Sequence, residues 1–207
     1  MTEPVTAITD YILAVEVIIL GILLRSTNAT RENSVRFWGL SFFAIGVAAI
    51  AGGTFHGFRQ QMEPLVSSLF WRISNYSIAT AVLFFVLAGI FVLSPQRFRR
   101  PFLILAMFQF ITYLYLSTKK LDPAYLLYSN LPLLLALLIL GIRRSTNTGK
   151  PRSYWMITGI LVSAVGVALL KSGLQLHRHF NHNDLYHVIQ MGAMFLLYKG
   201  GLQLQDQ

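Results

Sequence analysis

The sequence predicts an all-α membrane protein of seven transmembrane helices. Three observations carry that expectation. Apolar residues make up 55% of the 207, and charged residues only 12%, where a soluble domain is nearer a quarter charged. Apolar runs of about 18 residues or more recur along the chain, long enough to cross roughly 30 Å of hydrocarbon. The runs show no period-two alternation, which separates helices from the strands of a membrane barrel.

The first helix is expected over residues 10–24, the second over 35–56 and the third over 69–93. The fourth is expected over 102–116, the fifth over 124–142, the sixth over 154–170 and the seventh over 184–198. Pro101 and Pro123 fall at expected helix starts, where a missing N–H costs least. Pro132 falls inside the fifth helix and predicts a kink. Met1-Thr2-Glu3-Pro4 lacks a basic stretch, so the first run reads as a retained span and not a cleaved signal. No segment between spans could fold separately, and residues 1–207 are expected to form one transmembrane domain. The chain has no cysteine, which excludes disulfides and thiolate metal sites.

Lys and Arg set the expected orientation. The loops after the odd-numbered helices, with the tail, hold eleven of the 17, including Arg25, Arg97 and Arg144. Six, including Arg59, Lys119 and Lys171, lie at the other face. The side richer in basic residues stays cytoplasmic, which puts the N-terminus outside and the C-terminus inside. The net charge of +9 is thus spread over short loops and does not imply a nucleic-acid partner. The location expected from compactness and the lack of targeting extensions is a bacterial inner membrane.

The chain also repeats itself. Ile19-Leu20-Gly21-Ile22 recurs as Ile139-Leu140-Gly141-Ile142, and Arg25-Ser26-Thr27-Asn28 as Arg144-Ser145-Thr146-Asn147. Gly46-Val47-Ala48 recurs as Gly166-Val167-Ala168, and Thr9-Asp10 matches Ser129-Asn130. These matches predict a 3+1+3 parallel repeat, with halves at about 8–93 and 124–203 and the fourth helix, about 102–117, as linker.

With that topology all five histidines lie at or just within the outer face, with Glu3, Asp10, Glu16, Glu63, Asp122 and Asp184. Only Glu32 and Asp206 fall inside. Glu16, about six residues into the first helix, needs a partner within the bundle, and Arg72 is a candidate. Its alternatives are a structural pair or a neutral carboxyl. His56 closes Gly52-Gly53-Thr54-Phe55-His56. His187 shares a helical face with Asp184 and Asn183. Either of those two could instead be the N-cap, with Asn183 the better suited. His182 shares that face only if it lies in the preceding loop; His177 and His179 read as solvated loop residues. Histidine and carboxylate converging from two helices could hold zinc with an open position for water. The candidate metal ligands are His56, His182 and His187, and the candidate acid–base residues Glu16 and Asp184.

The seven-helix layout, with His56 ending the second helix and His187 opening the seventh, resembles the superfamily of alkaline ceramidases, adiponectin-type receptors and hemolysin-III-like proteins. Those families bind zinc through an S-x-x-x-H element in the second helix and an H-x-x-x-H element in the seventh. Here Gly52 stands in the place of the serine, Asn183 in that of the first terminal histidine, and Ser67 near that of an expected aspartate. The resemblance implies zinc-dependent hydrolysis of a lipid amide or ester at the outer face, with His182 or Asp184 completing the ligands. Membrane lipids are then the expected partners. The competing expectations are a small-solute transporter or receptor, a haem held by His56 and His187, and a non-enzymatic subunit with a histidine-rich polar rim.

Overall fold

A computed structural model describes residues 2–27, 32–119, 154–177 and 180–206. Over these residues the chain is all-helical: α1 (Pro4–Ser26), α2 (Asn33–Phe58), α3 (Pro64–Leu93), α4 (Gln96–Lys119), α5 (Tyr154–Ser172) and α6 (His182–Gly201). The expected fifth helix, with Pro123 and Pro132, lies outside the described residues, so α5 and α6 are the helices expected as sixth and seventh. Helices α1 to α5 are each long and apolar enough to cross a membrane, and the chain is an integral membrane protein by that measure. α6 carries His182, Asn183, Asp184 and His187 in its first two turns, which lowers its hydropathy.

Two helix starts differ from expectation in ways that matter. α1 begins at Pro4, six residues before Asp10. Proline suits a first helical position, and the chain just before it is tied down: Thr2 and Glu3 donate their backbone N–H groups to the carbonyls of Gly57 and His56. Glu16 therefore stands near the middle of α1 and not near its end. Pro101 lies inside α4 and not at its start. It falls so early in the helix that the bond lost is the one to the Arg97 carbonyl, within the second turn.

Packing fixes the directions. A Cβ on Gly53 would lie 2.9 Å from Asp10 Cβ, and one on Gly39 would lie 3.2 Å from Arg25 Cγ, so α1 and α2 run antiparallel. α6 runs parallel to α1: Thr9 meets His187 near their N-terminal ends, and Leu24 meets Gly201 near their C-terminal ends. α3 is joined to α2 by the Ser74 hydroxyl, which donates to the Ala48 carbonyl at 3.0 Å. Leu13, Val17 and Leu24 of α1, Trp38 and Phe42 of α2, and Met194 and Leu197 of α6 form one core. Lipid tails are as apolar as leucine, so close fit rather than water exclusion holds such helices together. The fit is tightest at Gly201. A Cβ there would come within 2.5 Å of Trp38 Cδ1, on the ring whose Nε1–H donates to the Leu197 carbonyl at 3.0 Å.

At the C-terminal end of α1 and α6 the tail turns back onto α2. Glu32 precedes α2 but makes no cap with its side chain. The Asp206 carboxylate takes that role from 172 residues away, accepting from the backbone N–H groups of Ser34 at 2.9 Å and Asn33 at 3.0 Å. Glu32 answers by accepting from the Asp206 N–H at 2.9 Å. Burial acts to raise the Asp206 pKa, but the hydrogen bonds from Ser34 and Asn33 outweigh it and hold the carboxyl below its ordinary 3.8.

Gly201→Ala is expected to displace the Trp38 ring and destabilise the protein by about 1–3 kcal/mol, seen as a lower melting temperature with a shifted tryptophan fluorescence maximum. Asp206→Asn tests the tail clamp. A carboxyl titrating lower in the native state than in the unfolded chain stabilises fully above the unfolded value, and that contribution fades as pH falls through the native one. The wild type should therefore melt higher than Asp206→Asn near neutrality, with the gap closing below about pH 4.

Candidate functional site

The polar residues of the apolar bundle converge where α1 and α6 begin and α2 ends. α6 starts with a capping box. The Asn181 side chain accepts from the N–H groups of Asn183 (2.8 Å) and Asp184 (3.3 Å), and Asp184 Oδ2 accepts from the Asn181 N–H at 2.7 Å. The cap is thus Asn181, two residues before the expected Asn183, because Asp184 at the third helical position can close the reciprocal pair from there. His182 becomes the first helical residue, and five residues separate it from His187, so the two do not share a face. Asn181 also reaches α1, donating from Nδ2 to Thr6 Oγ1 at 3.4 Å.

From Thr6 the polar contacts run to a buried imidazole. Thr9 Oγ1 donates to the Thr6 carbonyl at 3.0 Å and lies 2.9 Å from His187 Nδ1. The hydroxyl has one hydrogen, committed to Thr6, so His187 Nδ1 carries the proton shared with Thr9. That leaves Nε2 facing Asp10 Oδ1 at 3.2 Å. Two lone pairs at that distance repel, so one further proton lies between them, on the carboxyl or on the ring. Asp10 is 5% exposed and His187 7%. Asp10 Oδ2 has no hydrogen-bond partner among the described residues, and neither do Asp184 Oδ1 and His182 Nδ1. Asp184 is near enough to Asp10, and His56 to His187, for their charges to interact.

Glycine lets Asp10 into this position. A Cβ on Gly53 would clash with Asp10 Cβ and stand 3.1 Å from the Ala7 carbonyl, so only a bare backbone allows α1 this close to α2. One residue on, Tyr11 lies 3.0 Å from Thr54 Oγ1, whose own hydrogen goes to the Ile50 carbonyl, so Tyr11 donates.

The expected site residues are partly brought together. His187 and Asp184 lie in the cluster. His56 ends α2 beside it, but its Nδ1 is held by Glu3 Oε2 at 2.7 Å, and Glu3 Oε1 takes Arg59 Nη2 at 2.6 Å. Among the described residues Glu16 does not join, nor does it form the expected pair with Arg72: its Oε2 is buried without a partner there, nearly two turns along α1 from Asp10. Among the described residues no group of three or more His, Asp and Glu side chains is arranged to hold a metal ion. The residues that complete the cluster, Asp10, Thr9, Thr6 and Asn181, were not among the expected site residues. Their signal was the stripe Thr6, Thr9, Asp10 at helical spacing in an apolar run, and the pairing of Thr9-Asp10 with Ser129-Asn130 in the repeat.

The family match covers residues 5–206 and so takes in every member of this cluster. The chain belongs to DUF6962, a family of unknown function. No curated protein and no solved structure matches the chain. Membership in DUF6962 brings no activity with it, and the function of this chain is argued from its own geometry.

Two outcomes check that geometry. Nitrogen NMR of histidine-labelled protein should show one strongly protected ring with Nδ1 protonated, and Thr9→Val should abolish that signature while leaving the other histidines unchanged. Gly53→Ala should push α1 from α2 and lower the melting temperature more than Gly192→Ala, where a Cβ would meet nothing within 4 Å.

Proposed function

We propose that this end of the bundle is a hydrolytic site for an amide or ester carried by a membrane lipid, with Asp10 and His187 as its acid–base pair. The observation that carries the reading is the fixed imidazole. Its Nδ1 is anchored on Thr9, and its Nε2 shares a proton with the buried Asp10 carboxyl group 3.2 Å away. A general base needs a set tautomer and a group beside it that can hold the transferred proton. The pair takes a proton from the attacking water, the C–N or C–O bond of the substrate breaks, and that proton goes to the departing nitrogen or oxygen. Among the described residues Asp184 keeps one oxygen uncommitted near the pair. The collection of basic residues in the loops at the other end supports an outward-facing site, and a site at the end of apolar helices suits a substrate held in the bilayer.

The resemblance to the ceramidase superfamily also implies zinc, which when bound would polarise the carbonyl and lower the pKa of a water. Ligands about 2.0–2.1 Å from a tetrahedral zinc stand roughly 3.3 Å apart, close to the 3.2 Å between His187 Nε2 and Asp10 Oδ1. Among the described residues no third donor is arranged with them to hold a metal ion. The described residues as they stand do not complete a zinc site.

A screen of lipid amides and esters with the purified protein should find a hydrolysed substrate. Asp10→Asn and His187→Ala should each lower its turnover by about 10²-fold or more, with Glu63→Gln close to wild type. An empty screen would sink the reading. Elemental analysis belongs to the same experiment: about one zinc per chain, lost in His187→Ala, would make His187 a metal ligand and not the base.

A second reading, small-solute transport, draws on Glu16, a carboxyl in the middle of α1 with Oε2 buried and unpartnered among the described residues. Uptake by proteoliposomes that is lost in Glu16→Gln and kept in His187→Ala would favour it.

A further inference from the structure

Arg72 of α3 is a cation that the cluster around Asp10 and His187 does not use. It is partly buried. Among the described residues the ion pairs join Glu3 to His56 and Arg59, and Asp10 to His187. The Arg72 guanidinium has neither a carboxylate nor a hydrogen-bond acceptor among them. A guanidinium stays charged at any ordinary pH and carries five N–H donors. On a membrane helix those donors need an acceptor, and here it comes from outside the bundle.

The depth of Arg72 says what lies there. Residues 73–93 of α3 carry no charge. At 1.5 Å per residue they rise about 31 Å, close to the roughly 30 Å of hydrocarbon in a bilayer. Arg72 therefore stands where the hydrocarbon ends and the lipid phosphates begin. Its direction follows from its neighbours. Ser74 turns to α2, where it donates to the Ala48 carbonyl. Arg72, two residues earlier, lies on the opposite side of α3 and shares a face with Tyr76 and Ala79. Ala79 is buried against Tyr113 of α4, so this face looks onto the seam between α3 and α4. Tyr76, one turn deeper than Arg72, is partly buried, and its hydroxyl makes no hydrogen bond among the described residues. Leu105 and Leu116 of α4 are exposed, and both lie within a quarter turn of Tyr113 around that helix. The seam is thus bordered by apolar surface open to the bilayer.

A fixed cation and a phenol hydroxyl are donors without an acceptor, at phosphate depth and at the head of an apolar seam. An amphiphile with an anionic head complements all three features. We propose that Arg72 and Tyr76 hold the phosphate of an anionic phospholipid at the mouth of the α3–α4 seam. The guanidinium fork matches phosphate oxygens, Tyr76 adds a neutral donor, and the acyl chains lie along exposed α4. Basic sites of this kind between transmembrane helices suit lipid headgroups. The site faces away from Asp10 and needs no hydrolysis.

The full chain in mild detergent is melted with increasing short-chain phosphatidylglycerol, with diacylglycerol of the same chains, and with inorganic phosphate. Phosphatidylglycerol should raise the melting temperature by about 3 °C or more, with saturation. The other two should raise it little. Arg72→Gln should lose the gain, while Arg100→Gln, an exposed cation at the start of α4, should keep it. Tyr76→Phe removes one donor to a charged group, so its midpoint should move up about tenfold. An equal gain with diacylglycerol would overturn the proposal by making the tails the ligand. A full gain with inorganic phosphate would overturn the lipid assignment and leave a free-anion site. A full response in Arg72→Gln, an unchanged midpoint in Tyr76→Phe, or equal losses in Arg72→Gln and Arg100→Gln would overturn it too. The three ligands on the wild type, with Tyr76→Phe, decide the matter even where Arg72→Gln fails to fold.

Discussion

A carboxyl and an imidazole buried against each other between two membrane helices constrain everything around them. Taking a charged group out of water costs several kcal/mol even after relaxation, and losing one partner of a buried pair costs about 3–5 kcal/mol. The contact between Asp10 and His187 therefore sets the register of α1 against α6, because sliding either helix by one residue would strand both groups in an apolar surround. The cluster's other features serve that register. Thr9 holds the imidazole, Thr6 holds Thr9, and Asn181 ties Thr6 to the cap of α6. Gly53 admits Asp10 between α1 and α2. Leucine or valine in place of Thr9 or Asp10 would be better suited to lipid, and would remove the polar contacts that fix α6 against α1 at this end.

The same two helices are fixed again at their far ends by different means. There Gly201 lies against Trp38, and Leu24 closes the contact, so the fit is steric and apolar. Beyond it, Asp206 and Glu32 exchange hydrogen bonds across the N-terminus of α2. A pair of parallel helices pinned by a polar contact at one end and a shape contact at the other has little freedom to slide. Such rigidity suits positioned acid–base groups, which lose efficiency when their geometry wanders by an ångström. It suits less well a reading in which α1 and α6 part to let a solute through.

The fold was largely legible in the sequence because lipid leaves few choices. A long apolar run must be a helix there, and the described helices follow the expected runs. The errors have local physical causes. The start of α1 was placed at Asp10, where the apolar run begins, but the helix starts at Pro4, where proline and the bonds from Thr2 and Glu3 to α2 fix it. That shift hid Asp10, which looked like a residue at the rim and is in fact inside the bundle. The cap of α6 was misplaced because Asn181, Asn183 and Asp184 are all good caps, and only the reciprocal bond between Asn181 and Asp184 selects among them. The resemblance drew attention to His56 and His187 by position along the chain. It could not show that Glu3, at the start of the neighbouring α1, holds the ring of His56. Pairings of that kind depend on which helices touch, and no local pattern encodes them. Asp206 capping a helix 172 residues away is the same lesson at the other end.

A pair that served only to lock two helices would be expected to satisfy its atoms, since each buried polar atom left without a partner costs about 1–3 kcal/mol. This cluster does otherwise. Among the described residues Asp184 uses Oδ2 for the cap and leaves Oδ1 buried and unpartnered, Asp10 turns Oδ1 to His187 and leaves Oδ2 unpartnered, and His182 leaves Nδ1 unpartnered. Each acid thus has one oxygen that builds the structure and one that does not. Replacing Asp184 by asparagine would be the simple route to a quieter core. Stability is set against something at these atoms, which is what a site that must receive a proton, an ion or a reacting group requires.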